Sequence, residues 1–174
     1  MRMKKILSII LVIFIFGCEN KYAYHPSEKE KLANTVIKKT AIEIEHELGL
    51  IPFGTGGQMM DQIKMLHLGF QSHNRLTIET GRELLIASVE KFASKVNANE
   101  TIRPYLNNYP FGPKNIEIVI YIQREDGSHF SSEDLCVVSA KNGNLEYLRN
   151  DPSGPLFETV YSETYEEALK KLNR

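Results

Sequence analysis

LCVVSAKNGNLEYL, residues 135–148, decides the fold. Leu135 to Ala140 is a short apolar run of strand length, and Leu145 to Leu148 is a second one. Between them stands Asn142-Gly143, a pair in which both residues tolerate positive φ and which therefore favours the tight turn of a two-residue hairpin. The stretch reads as two antiparallel strands. Upstream, Ile116, Ile118, Ile120 and Ile122 alternate with Glu117, Val119, Tyr121 and Gln123, a strand with one strongly apolar face, and Asp126-Gly127 supplies the turn after it. Downstream, Pro152 and Pro155 bracket a turn ahead of a further strand over Leu156 to Tyr161. Together these segments predict an antiparallel meander.

Helices flank the meander. Ser27 and Glu30 have the spacing of a capping box, in which each side chain satisfies a backbone amide of the other. Ala33, Ile37, Ala41, Ile44 and Leu48 then recur every three or four residues, and Gly49 offers a left-handed exit. A second helix is expected from Thr77 or Thr80, the latter pairing with Glu83, with a stripe of Leu85, Val89, Phe92 and Val96 and an end near Asn97. Thr164 with Glu167 caps a third, carrying Tyr165, Ala168, Leu169 and Leu172. Ile51 to Gly57 (IPFGTGG) reads as a turn or loop, because Pro52 and three glycines interrupt regular structure. Residues 63–70 alternate as a strand, although their Met-rich start also suits a helix. Three prolines make regular pairing improbable over residues 102–113, IRPYLNNYPFGP. The expectation is an α+β fold over residues 27–174: a hairpin-linked antiparallel sheet of about three to five strands, with two long helices and a C-terminal helix packed on it.

The amino end carries a different signal. Arg2, Lys4 and Lys5 precede the stretch Ile6–Phe16, followed by Gly17 and Cys18, the layout of a secretory signal. At 11 residues the stretch falls well short of the roughly 20 that a membrane span requires. An ordinary secreted precursor ends in small residues at alternate positions, whereas Ile15 and Phe16 are bulky. The ending Ile15-Phe16-Gly17-Cys18 resembles the lipobox of bacterial lipoproteins, with Phe16 larger than the residue usual at its position. That resemblance implies cleavage after Gly17, diacylglycerol and further acyl chains on Cys18, and anchoring in the cell envelope. Residues 1–17 would be removed, 18–26 would form a linker, and in a cell with two membranes the protein would sit on the outer one, facing the periplasm.

Two weaker resemblances concern the rest. VVSAKNGNLEYL is similar to the closing hairpin of cystatin-like and PepSY-type domains, which implies helices lying across one sheet face and carries over no functional residue. GTGGQMMDQIKMLHLGF and IRPYLNNYPFGPKNIEI resemble segments of uncharacterised bacterial lipoproteins.

Composition excludes some functions. Removing residues 1–17 takes away three basic residues and no acidic one, so a net charge of −1 becomes −4, and no basic patch argues for nucleic acid. With Cys18 acylated, Cys136 is the remaining thiol and has no internal disulfide partner. For a thiol enzyme or envelope hydrolase, the alternative reading, Cys136 would act with His67 or His129. Yet Cys136 lies in an apolar strand with no neighbour to lower its pKa, so no catalytic residue is assigned. His25, His46, His67, His73 and His129 are scattered, and IEIEHEL lacks the spacing that puts two histidines on one helix face, so no metal or cofactor is expected. Gly54, Gly56 and Gly57 are not followed by the Lys-Ser or Lys-Thr of a phosphate loop. What remains is contact surface: Met59 and Met60 as adaptable apolar area, and Tyr105, Tyr109 and Phe111 as rigid aromatic area on a proline-stiffened loop. These five residues are the candidate contacts to a protein, peptide or lipid, in a module that is otherwise non-catalytic.

Overall fold

The computed structural model describes residues 24–154 and 156–173; Cys18 and the cleavage site lie outside the described residues. The first helix, α1, runs over Glu28–Leu48, held at its start by the Ser27/Glu30 capping box and closed by Gly49 at φ 68°. The edge strand β1 (Ile51–Gln58) and β2 (Met65–Ser72) follow as an antiparallel pair. Helix α2 (Ile78–Ala98) crosses over to β3 (Ile116–Ile122), and β4 (Leu135–Lys141), β5 (Asn144–Asn150) and β6 (Phe157–Thr164) complete the sheet. A short helix α3 (Tyr165–Lys171) closes the chain, capped by Thr164 with Glu167.

Among the described residues the sheet has six strands in the order of the chain, an α+β fold as expected but with more strands. One correction supplies the extra strand and a second concerns strand direction. IPFGTGG is strand, not loop: Pro52 is tolerated because β1 is an edge, and the register shift between Pro52 and Gly54 takes up one residue as a bulge. Gly57 permits close pairing there, since a Cβ at this position would stand 2.8 Å from the Met65 carbonyl oxygen. The sheet is also not wholly a meander, because β2 and β3 pair in parallel, from Leu66 opposite Ile116 to Ser72 opposite Ile122. Parallel neighbours need a long crossover, and α2 provides it. At its start Thr77 is the cap, and Thr80 takes the position that answers it. The predicted turn at Asn142-Gly143 is present with both residues left-handed, at φ 52° and 79°.

The three helices cover one face of the sheet. Leu66, Leu68 and Phe70 of β2, the four isoleucines of β3, Val138 and Ala140 of β4, and Leu145 and Tyr147 of β5 point to that side, where they join one buried cluster with Ile37, Ile44, Leu85, Phe92 and Ala168. Alternation along each strand sends the intervening residues to the other side. There Phe53 and Tyr121 meet edge to face at 5.5 Å. No helix among the described residues is long and apolar enough to cross a membrane.

Candidate functional site

Two segments singled out from the sequence, around Met59 and around Tyr105, meet at one end of the sheet. Their joint is backbone: the Ile63 amide donates to the Tyr105 carbonyl at 2.8 Å, and the Asn107 amide to the Ile63 carbonyl at 2.9 Å. Asn115 reinforces it, its side-chain amide donating to the Lys64 carbonyl at 3.0 Å while its own carbonyl accepts from the Leu66 amide at 2.9 Å. The Lys64 amide, donating to the Gln58 carbonyl at 2.8 Å, closes the loop that carries Met59 and Met60. From the other side the Lys29 ammonium of α1 donates to the carbonyls of Met60 and Asp61. The loop is thus fastened at its base, its side and its crown.

Its side chains divide. Met59 packs partly into the core, whereas Met60 is 92% exposed. The pair stands between two hollows. One, of about 490 Å³, is lined by Ser27, Glu28, Lys29, Glu30, Asp61 and Tyr105 as well as both methionines. The other, of about 370 Å³, is lined by Gly57, Gln58 and Lys64 with the same methionines. Beside the first hollow Tyr24 is also exposed, and its hydroxyl donates to Glu30. That bond, together with those from Ser27, holds the Glu30 carboxyl below the usual carboxylate range.

The other aromatic candidates separate from this cluster. Tyr109 is half exposed with the Arg103 guanidinium 4.5 Å over its ring. Phe111 is buried: the Asn97 side chain accepts from its amide at 2.7 Å and donates to its carbonyl at 2.9 Å, fixing the residue to the end of α2. It contributes core, not contact area.

Cys136 is buried and its thiol donates to the Leu148 carbonyl at 3.5 Å, while burial pushes its pKa up. His67 lies beside Glu117, whereas Val137 lies beside Tyr121, four positions further along β3. At 3.3 Å per residue that offset alone is about 13 Å, so His67 is not placed to take the Cys136 proton. Burial lowers the pKa of His67 and outweighs the Glu117 carboxylate, whose nearer oxygen is 3.8 Å away. His129 is exposed, its carbonyl held by Arg124. Among the described residues no group of three or more His, Cys, Asp or Glu side chains is arranged to hold a metal ion.

One polar cluster escaped the sequence reading. Glu163 of β6, its side chain 1% exposed, accepts from Arg82 Nε and from the Tyr147 hydroxyl at 2.7 Å each on one oxygen. Its other oxygen accepts from Lys171 at 2.7 Å and from the Tyr161 hydroxyl at 3.4 Å. Burial alone would push the Glu163 carboxyl up, but the hydrogen bonds from Lys171, Arg82 and Tyr147 outweigh it and hold the pKa below the ordinary value. Through these four donors the carboxylate joins α2, β5, β6 and α3, so its role is cohesion. No local signal could have found it: Arg82 and Glu163 stand 81 residues apart, and nothing near either marks it as paired.

Compared with family models, curated proteins and solved structures, the chain matches none.

Proposed function

We propose that the chain is an envelope lipoprotein, acylated on Cys18, whose α+β domain is a non-catalytic binding module using the end that carries Met59, Met60 and Tyr105. The observation that carries this reading is the state of Met60: an apolar side chain exposed to 92% on a loop held by hydrogen bonds at both ends. A methionine buried on contact contributes about 1.5–3 kcal/mol, roughly one to two factors of ten in affinity. Because the loop is already ordered, little of that gain is lost to ordering it. Thiol catalysis has less support, since a buried thiol with a raised pKa supplies little thiolate near neutral pH.

Two measurements test the reading. Labelled palmitate enters the wild-type protein and not Cys18→Ala; label persisting in the variant, or a mature protein that starts at another residue, refutes the anchor. A photo-reactive group at position 60 in intact cells forms an adduct with a protein, peptide or lipid that the same group at position 156 does not form. Identical adducts at both positions would refute the binding end.

A further inference from the structure

We propose that the occupant of this end is the bilayer itself: Tyr24, Met60 and the exposed parts of Met59 and Tyr105 lie on the membrane that carries the Cys18 acyl chains. The inference rests on the lipoprotein reading and specifies what its binding end touches.

The argument begins with chain length. Tyr24 is six steps along the chain from Cys18, and a chain extends at most about 3.6 Å per residue, so Tyr24 stays within about 22 Å of the acylated residue. Strands of seven or eight residues make the sheet about 25 Å long, comparable with the tether. The end bearing Tyr24 and Ser27 is therefore presented to the bilayer continuously, at the high effective concentration a short linker gives, whereas a soluble partner must arrive by diffusion.

Topology then places the apolar groups at that same end. The Ser27 start of α1 and the Met59–Asp61 loop line one hollow, and Lys29 fastens them together. Leu156, just ahead of β6, lies at the other end of the strands and at the opposite edge of the sheet, since β1 and β6 are the two edges and run in the same direction through the pairing order.

The side chains suit an interface in chemistry as well as position. Met60 offers an unbranched apolar chain, exposed to 92%, and Tyr24, exposed to 75%, pairs an apolar ring with a polar tip. Tyrosine concentrates where hydrocarbon meets headgroup for that reason. Lys29 keeps its ammonium on backbone carbonyls and Glu30 its carboxylate on Tyr24 and Ser27, so these two charged groups are hydrogen-bonded before contact, while the exposed Glu28 and Asp61 carboxylates stand at the rim on the headgroup side. Burying one methionine and the edge of a tyrosine is too little to hold a soluble protein on a membrane, but it is enough to orient one already anchored there.

The chain contains no tryptophan, so a single introduced one is a unique reporter. Full-length acylated protein is reconstituted into phosphatidylethanolamine–phosphatidylglycerol vesicles with brominated acyl chains, carrying Met60→Trp, Tyr24→Trp or Leu156→Trp, and palmitate incorporation is measured in parallel. Fluorescence of the first two should be quenched several-fold more than that of Leu156→Trp, and adding Met60→Asp to Tyr24→Trp should remove most of its excess quenching. Palmitate incorporated with equal quenching at all three positions, or a protein adduct in place of lipid at position 60 in cells, overturns the bilayer contact alone. Absence of both palmitate and quenching overturns the anchor as well.

Discussion

Replacing Glu163 by Gln removes one negative charge from a site where its side chain is 1% exposed and that of Arg82 8% exposed. Breaking a buried ion pair on one side costs about 3–5 kcal/mol, chiefly because the remaining charge has lost its compensation. The amide oxygen can still accept from Arg82 and Tyr147, which places Glu163→Gln near about 3 kcal/mol, the lower end of that range. For a protein of this size that is about 6–12 °C in Tm. Urea unfolding of the protein lacking residues 1–17, followed by circular dichroism, measures it. Acid provides the second reading. The folded pKa of Glu163 is depressed, so its contribution is complete above the unfolded value of about 4.3 and is lost as pH falls through the folded one. The gap between wild type and variant should thus narrow on going from about pH 6 to about pH 3. An apolar replacement of the whole buried set, Arg82→Met with Glu163→Leu and Tyr147→Phe so that no hydroxyl is left without its acceptor, should recover most of the loss. A Glu163→Gln protein as stable as wild type, or a gap that widens in acid, would refute the reasoning.

Gly57→Ala should cost about 1–3 kcal/mol, because its Cβ would press on the Met65 carbonyl oxygen at 2.8 Å, whereas Gly54→Ala, with open space around it, should be neutral or slightly stabilising; paired Tm values decide. Cys136 should react with a thiol reagent near neutral pH only as fast as the protein unfolds, since burial both covers the sulfur and raises its pKa; a rapid reaction in the absence of urea would revive the thiol-enzyme reading.

Local chemistry was the legible part of this fold. Ser27 with Glu30 and Thr164 with Glu167 mark helix starts through side chains that reach only three residues, and Asn142-Gly143 marks a turn through its own φ angles, so none depends on distant partners. Ile51–Gln58 was misread because Pro52 breaks a strand only where both of its sides must pair, a demand an edge removes, and because Gly57 is there for close approach to the Met65 carbonyl rather than for a turn. Alternation over residues 66–70 shows a strand but carries no information on its direction relative to β3, so the parallel junction was invisible. Of the candidate contacts, the conjunction of Met59 and Tyr105 depends on the Ile63 pairing, and the burial of Phe111 on Asn97, which are tertiary facts. The network at Glu163 was hidden for the same reason.

Because strand order equals chain order, each strand as it emerges from a ribosome or a translocation channel finds its partner already present. Sheet pairing of this kind is local except across α2, a property that speeds folding by lowering the entropy of loop closure. The exception in time is Arg82, which enters in the second helix and must wait for Glu163, 81 residues later. Until β6 docks, that guanidinium has no carboxylate to justify its burial, and the start of α2 should stay hydrated. The carboxyl-terminal strand thereby acts as a signal of completion: a chain truncated before it would hold most of its sheet and still leave the second helix loosely seated, exposed to proteases at the point where a finished molecule is closed.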